Sequence, residues 1–444
     1  MRKIFNTLQL SAMAAAVVMA LPALAQASDQ SDSKGFVADS SLNILNRNLF
    51  WNQTGGGPHT RDWSQALMAT FSSGFTQGTV GVGIDAFADL ALRIDGNTDR
   101  AGGPNIPSDA NGNPDHGVGK GGGDIKFRIS NTTLKAGDLQ PTAPVFATAD
   151  NYLMPQTASG FQINSHEIDN LNLEAGRFTS GTGTTTTAHS GDILASYAKV
   201  DAQSASFAGA KYQFSKEFTA SLYGSHLEDV WNQYYLNMNL VHPFTDEQSL
   251  AVDFNLYRTL DDGSAKAGTI DTTATSLAAA YTLGAHTFTF AGQKIHGDEP
   301  FDYVGFGGTG DGVGAGRYGN GISLADSVQY SDFNGPNERS FQLRYDLDMT
   351  HYGVPGLGFM ARHVRGYGID GSHMSADSSA YAGLEYGADD REHETDAEVK
   401  YAVQSGPAKN LTFHLREAWH DGDVSTGGKL IQTRLITEYP LNIF

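Results

Sequence analysis

The chain has 444 residues, a formal net charge of −20 and no cysteine. That balance disfavours a nucleic-acid partner, and the missing thiols exclude disulfides, thiolate nucleophiles and Cys-ligated metals. Fifty-two glycines, 24 Phe and 18 Tyr in a sequence only 40% hydrophobic suit a barrel that is apolar outside and polar inside better than a soluble enzyme.

The first element is a leader. Arg2-Lys3 precede an apolar run from about Ala12 to Leu21 and the small-residue pattern Ala23-Leu24-Ala25-Gln26-Ala27, which predicts a secretory signal peptide over residues 1–27. Its removal takes away two cations and leaves −22. No later stretch has the roughly 18 uncharged apolar residues of a transmembrane helix, so residues 28–444 are expected to form one domain without spanning helices.

From Leu42 onward the chain is a succession of short alternating segments. The clearest are 79–95, 123–130, 249–258, 340–349, 395–403, 411–420 and 431–441. In "GDIKFRISN" Ile125, Phe127 and Ile129 oppose Lys126 and Arg128; in "ERSFQLRYDLDMT" Phe341, Leu343, Tyr345 and Leu347 oppose Gln342, Arg344 and Asp346. Period-two alternation is the mark of a strand with one apolar face. Strands are expected to begin near 42, 63, 79, 123, 133, 161, 171, 207, 218, 232, 249, 274, 286, 338, 357, 394, 411 and 429, about 18 in all, an even number as bacterial barrels require. Short links such as 215–217, 284–285 and 352–356 alternate with long Gly-, Asp- and Asn-rich segments at 259–273, 297–336 and 366–393. That asymmetry predicts an all-β, transmembrane antiparallel barrel with tight periplasmic turns and long outer loops.

Taking the apolar face as the lipid face turns Lys126, Arg128, Lys135, Lys211, Arg344, Lys400, Arg416 and Arg434 toward the lumen, and Arg362 less firmly. Arg177 is grouped with this set as a translocation residue, although it shares parity with Leu171 and Leu173 and its direction stays open. Cations concentrated along a low-dielectric wall make a strip of positive potential. Such a strip draws carboxylates and, as several weak sites in series, lets them leave. The plainer alternative is that each cation is paired with a lumen carboxylate such as Asp85, Asp89, Asp253, Asp346 or Glu398.

Other motifs carry less. Gly314, Gly316 and Gly319 complete G-x-G-x-x-G with no strand before it or helix after it. Asp109, Asn111, Asn113 and Asp115 have calcium-loop spacing, but Pro114 replaces the turn glycine and Lys120 the bidentate Glu. No nucleophile elbow supports an enzyme, and His414 and His420 beside Arg416 read as pore lining. No cofactor or metal is expected.

The blocks "FVADSSLNILNRNLFWN", "KFRISNTTLKAGDLQPTAPVFATADNYLMPQT", "LNLEAGRFTS", "FDYVGFGG", "QYSDFNGPNERSFQLRYDLD" and "LITEYPL" resemble the OprD family of substrate-specific porins, also described as outer-membrane carboxylate channels. The resemblance runs from about Phe36 to the C-terminus. It implies an 18-stranded, monomeric barrel in the bacterial outer membrane, among lipid and lipopolysaccharide, passing small carboxylate solutes. It implies a basic ladder falling here on Arg128, Arg344, Arg362, Lys400, Arg416 and Arg434. It further implies an inward-folded outer loop at 141–155 and an electronegative pocket at Tyr330, Ser331 and Asp332. One departure is that Phe444 shares parity with Arg434 and Glu438, whereas barrels of this kind usually end on an outward Phe.

Overall fold

The computed structural model describes residues 28–95, 103–108, 113–307, 322–374 and 379–444. The leader pattern, the Gly314–Gly319 motif and the first half of the calcium-like spacing lie outside the described residues.

Eighteen strands form one antiparallel sheet. The first nine are β1 Ser41–Gly55, β2 Thr60–Ser72, β3 Gly81–Arg93, β4 Gly117–Ile129, β5 Thr132–Leu139, β6 Thr157–Ile168, β7 Leu171–Thr182, β8 Ala205–Gln213 and β9 Phe218–Leu227. The rest are β10 Trp231–Thr245, β11 Gln248–Asp261, β12 Asp271–Leu283, β13 His286–His296, β14 Arg339–Asp348, β15 Leu357–Ile369, β16 Asp390–Ala402, β17 Thr412–Gly422 and β18 Leu430–Asn442. Each pairs with its sequence neighbours, and β1 pairs with both β2 and β18, so the sheet closes without a free edge. Closure satisfies every ladder N–H and C=O internally, the condition for a sheet to cross lipid. Among the described residues no helix is long and apolar enough to do so.

Alternation decides which way each strand faces. Phe341 and Leu343 are 48% and 65% exposed, while Ser340 and Gln342, which alternate with them, are buried. The buried face packs on connections that enter the lumen, among them a small three-stranded sheet of Ile193–Ala195, Val200–Ala202 and Val304–Phe306. Phe146, in the 141–155 segment, is fully buried against Phe178 of β7 and Phe207 of β8 (ring centroids 4.7 and 5.6 Å), and against Phe306 of the 297–338 connection (5.3 Å). The barrel's apolar core therefore sits inside it, on the long-loop side. At the chain end, Ile443 N–H donates to Leu42 O (2.9 Å) and Leu42 N–H to Phe444 O (3.1 Å), and the Phe444 side chain is exposed.

Candidate functional site

Cross-strand register aligns the cations of the β14–β18 wall. Directly paired residues share a face, and Arg344 pairs with Arg362, Arg362 with Asp396, Glu398 with Arg416, and Arg416 with Arg434. Arg344 and Arg362 line a chamber of about 610 Å³, along with Asp253, Thr289, Gln342 and Ser323. Arg344 makes a fork to Asp346 through Nε and Nη2 (both 2.7 Å). Arg362 is ion-paired to Asp396, and Arg416 Nε lies 3.0 Å from Glu398 Oε2, with His414 Nδ1 3.5 Å from the same carboxylate. Lys400 has no carboxylate within ion-pair distance among the described residues, and its side chain is exposed. A guanidinium offers five N–H donors, so one carboxylate neighbour leaves each arginine donors to spare. The pairing with Asp346 and Glu398 is the plainer alternative realised at single residues. The aligned row is what those pairs compose.

A second basic group lies on the wall of β4 and β5, beyond β1 and β2 from the ladder strands. Asp85 of β3 accepts from Lys126 Nζ and Lys135 Nζ (both 2.5 Å), one on each oxygen. Arg128, nearer the short turns, stacks its guanidinium over Phe75 at 4.1 Å, and its Nε donates to Gln30 Oε1 (3.1 Å). Gln30 in turn donates to Thr76 O and Gly78 O, so the segment before β1 is tied beneath this wall.

Two loops narrow the lumen between these walls. The 141–155 segment is tethered by Tyr257 Oη donating to Pro144 O (3.1 Å) and by Arg47 Nη1 donating to Asp150 Oδ1 (2.7 Å) and Tyr152 O (2.8 Å). The segment around Tyr330 is held from the ladder wall: Glu394 accepts Tyr330 N–H and Ser331 N–H, one per oxygen (2.9 Å each), and Arg434 Nη2 donates to Gln329 O (2.9 Å). Gly427 seats Tyr330, for its φ is +96° and a Cβ there would lie 2.0 Å from Tyr330 Oη. Arg434 also faces the Tyr152 ring at 5.2 Å. The two inward loops therefore meet at this arginine.

Asp332 collects three hydroxyls: Tyr197 Oη (2.7 Å) and Tyr303 Oη (3.0 Å) on Oδ2, and Ser327 Oγ (2.6 Å) on Oδ1. Burial, reinforced by Asp332, raises both phenols well above their ordinary value and keeps them protonated donors. Asp302 beneath them accepts the N–H groups of Tyr197, Ala198 and Tyr303, yet full burial pushes its carboxyl up to about 6. Asp326, bonded to Ser340 Oγ (2.7 Å), is likewise raised by burial to about 6.

The structure thus brings Lys126, Arg128, Lys135, Arg344, Arg362, Lys400, Arg416 and Arg434 to the inner face; Tyr330 and Ser331 follow Gln329, the partner of Arg434, and are held by Glu394, while Asp332 is bonded to Tyr197, Tyr303 and Ser327. Arg177 is the exception. It is exposed, opposite in parity to the buried Phe178, and Nη2 donates to Ser204 Oγ (3.2 Å), which donates on to Glu228. Its parity with Leu171 and Leu173 was the correct signal, and it leaves the inward set. Arg47, Tyr197, Asp302 and Tyr303 were not singled out from sequence. Arg47 shares parity with Leu49 and Trp51, which are inward because Leu153 and Met154 of the entering loop cover them, so the apolar-equals-lipid rule reverses there. The tyrosines and Asp302 lie in connections, where no period exists to read. Among the described residues no group of His, Asp and Glu is arranged to hold a metal ion.

A closed antiparallel barrel with an apolar exterior, short turns on one side and a charged, loop-narrowed lumen defines the class: an outer-membrane porin. The family model for outer membrane porins of the OprD family matches residues 34–443. The chain is 52% identical to Porin D of Pseudomonas aeruginosa, with 94% of each chain covered, and 28% identical to the porin-like protein GalP of Pseudomonas putida, with 93% and 95% covered. The crystal structure of Pseudomonas aeruginosa OprD superposes with a TM-score of 0.82 at 49% identity over 94% of this chain and 99% of that one. That of Pseudomonas aeruginosa OpdK with vanillate superposes at 0.81, with 30% identity over 92% and 100%. This chain belongs to the OprD family.

Proposed function

We propose that the protein is a passive channel selective for small solutes bearing a carboxylate. The observation that carries this reading is the register-aligned row Arg344, Arg362, Arg416 and Arg434, with Lys400 among them, leading past a constriction where two inward loops meet the last arginine. A carboxylate meets a fresh donor as it leaves the previous one. Arg344, Arg362 and Arg416 each already share charge with an acidic neighbour, and Arg434 is already bonded to Gln432 Oε1 and Gln329 O, so no site holds the solute tightly enough to stop it. The second group, Lys126, Arg128 and Lys135, extends positive potential along the other wall toward the periplasmic turns. In the same inward segment that Arg434 touches through Gln329, Asp332 and its tyrosines suit the amino or hydroxyl end of the same solute, so the reading favours small bifunctional acids. The relative solved with vanillate, an aromatic carboxylate, agrees in chemical class.

Liposome swelling tests the reading. A panel of amino acids, benzoate-like acids and dicarboxylates is compared with amides of equal size. Faster entry of the acids is expected, and equal rates for acid and amide would overturn it.

A further inference from the structure

The outer surface is not uniformly apolar. On three adjacent strands near the long-loop end, Lys294 of β13, Arg339 of β14 and Arg365 of β15 share the outward face with Phe290, Phe341 and Leu343. Lys294 pairs directly with Arg339, and Arg365 pairs with Phe341, one diagonal step from Arg339. His393 of β16 pairs with Arg365 on the same face. Like charges directly opposed destabilise a sheet pair, so this juxtaposition works against the fold unless an anion lies over it.

Several other outward or rim cations have such a partner within the chain: Arg61 has Asp95, Arg258 has Asp271, Lys266 has Asp229 at 3.7 Å, and Arg391 has Asp389 at 3.2 Å. Among the described residues no carboxylate comes within ion-pair distance of Lys294, Arg339 or Arg365. Lys294 Nζ donates to a neutral acceptor, Asn337 O, at 2.5 Å. In a chain of net charge −20, three cations without carboxylate partners aimed away from the pore take no part in guiding a solute through it.

We infer that this patch is a binding site for an acylated glycolipid of the outer leaflet carrying more than one phosphate. The charges sit at the long-loop end, where lipid headgroups lie. Phe341 (48% exposed) and Leu343 (65%) continue downward from Arg339 as a bed for acyl chains. Tyr367 pairs with Arg339, is 40% exposed and has its ring 6.3 Å from that of Phe341, which places an amphipathic ring at the polar–apolar boundary. Three cations across two strand spacings, about 10 Å, match a headgroup with several phosphates, whereas a single-phosphate lipid would leave charges opposed. Guanidinium forks bind phosphate bidentately.

The test counts lipids retained by the purified, detergent-solubilised protein in native mass spectrometry, using bisphosphorylated lipid A, its dephosphorylated form and phosphatidylglycerol. Bisphosphorylated lipid A is expected to be retained in preference to both others. The triple variant Lys294→Gln, Arg339→Gln, Arg365→Gln should lose it by roughly a hundredfold, and the single changes Arg339→Gln and Arg365→Gln by about fivefold each, as one charge near an anionic headgroup supplies. The singles give the readout if the triple variant does not insert. Arg61→Gln should retain the lipid unchanged, and all variants should keep wild-type conductance. Undiminished retention by the charge-removed variants would overturn the site. Equal retention of phosphatidylglycerol would overturn the glycolipid assignment, and a change of oligomeric state with lipid retention unchanged would assign the patch to a second copy of the chain.

Discussion

Phe146→Ala separates the barrel from the loops that narrow it. The ring is fully buried and joins the 141–155 segment to β7, β8 and the 297–338 connection through Phe178, Phe207 and Phe306. Burying a Phe side chain contributes about 1.5–3 kcal/mol, and each aromatic pair adds about 0.5–1.5 kcal/mol. A loss of about 4 kcal/mol is therefore reasonable, within the range of roughly 3–5 kcal/mol for Phe-to-Ala changes in cores. Because the strand ladders are untouched, the loss falls on the seating equilibrium of the loop, shifting it toward release by about a thousandfold. Pro144 and Asp150 remain tethered, so the expected phenotype is a noisier, larger single-channel conductance and a loop newly open to protease, with the barrel still folded. Phe341→Ala, on the lipid face, should leave conductance alone. Unchanged current and protease resistance in Phe146→Ala would refute the idea that this aromatic cluster holds the constriction.

Glu394→Gln replaces one of the two oxygens that accept Tyr330 and Ser331 N–H with an amide donor, so the pocket segment should shift. A drop in acid-over-amide selectivity at near-normal conductance, read by liposome swelling, checks it. The pH dependence has a definite sign. Asp302 and Asp326 are raised from 3.8 to about 6, so the seated loops bind these protons more tightly than released loops do. Their contribution, about 3 kcal/mol each, is complete below about pH 4 and gone above about pH 6. Current fluctuations should therefore increase between about pH 4 and about pH 6, and a flat record over that range would contradict the assignment. Arg177→Ser should change neither conductance nor selectivity, because its side chain lies on the outer face; altered carboxylate uptake would return it to the path.

The barrel was legible because lipid and lumen impose opposite demands at every second residue. All 18 expected strand starts lie within several residues of the observed ones, the largest offset being β4, which begins at Gly117 and not near 123. Its early residues alternate Gly, Val, Gly, Lys and Gly and give little apolar period to read. The same rule placed Arg344, Arg362, Arg416 and Arg434, since the inward positions of their strands carry polar and charged partners. It failed where the lumen is filled. Arg47, Phe178, Phe207, Tyr223, Tyr235 and Tyr257 are inward although their parity groups contain apolar residues, because entering loops give those faces an apolar partner. The pocket hydroxyls of Tyr197 and Tyr303 converge on Asp332 from connections far apart in sequence, a meeting that spacing does not encode. Resemblance located the Tyr330–Asp332 stretch, while the roles of its separate atoms emerged only from the hydrogen bonds.

The central claim is that the aligned arginines select for carboxylates. Its most direct test is planar-bilayer conductance and uptake with Arg344, Arg416 and Arg434 changed together to Ser, beside Arg177→Ser as the outward-facing control. Carboxylate flux should fall toward that of the size-matched amide in the triple variant, while the control keeps wild-type preference. Carboxylate flux that still exceeds the amide's by the wild-type ratio in the triple variant would contradict it.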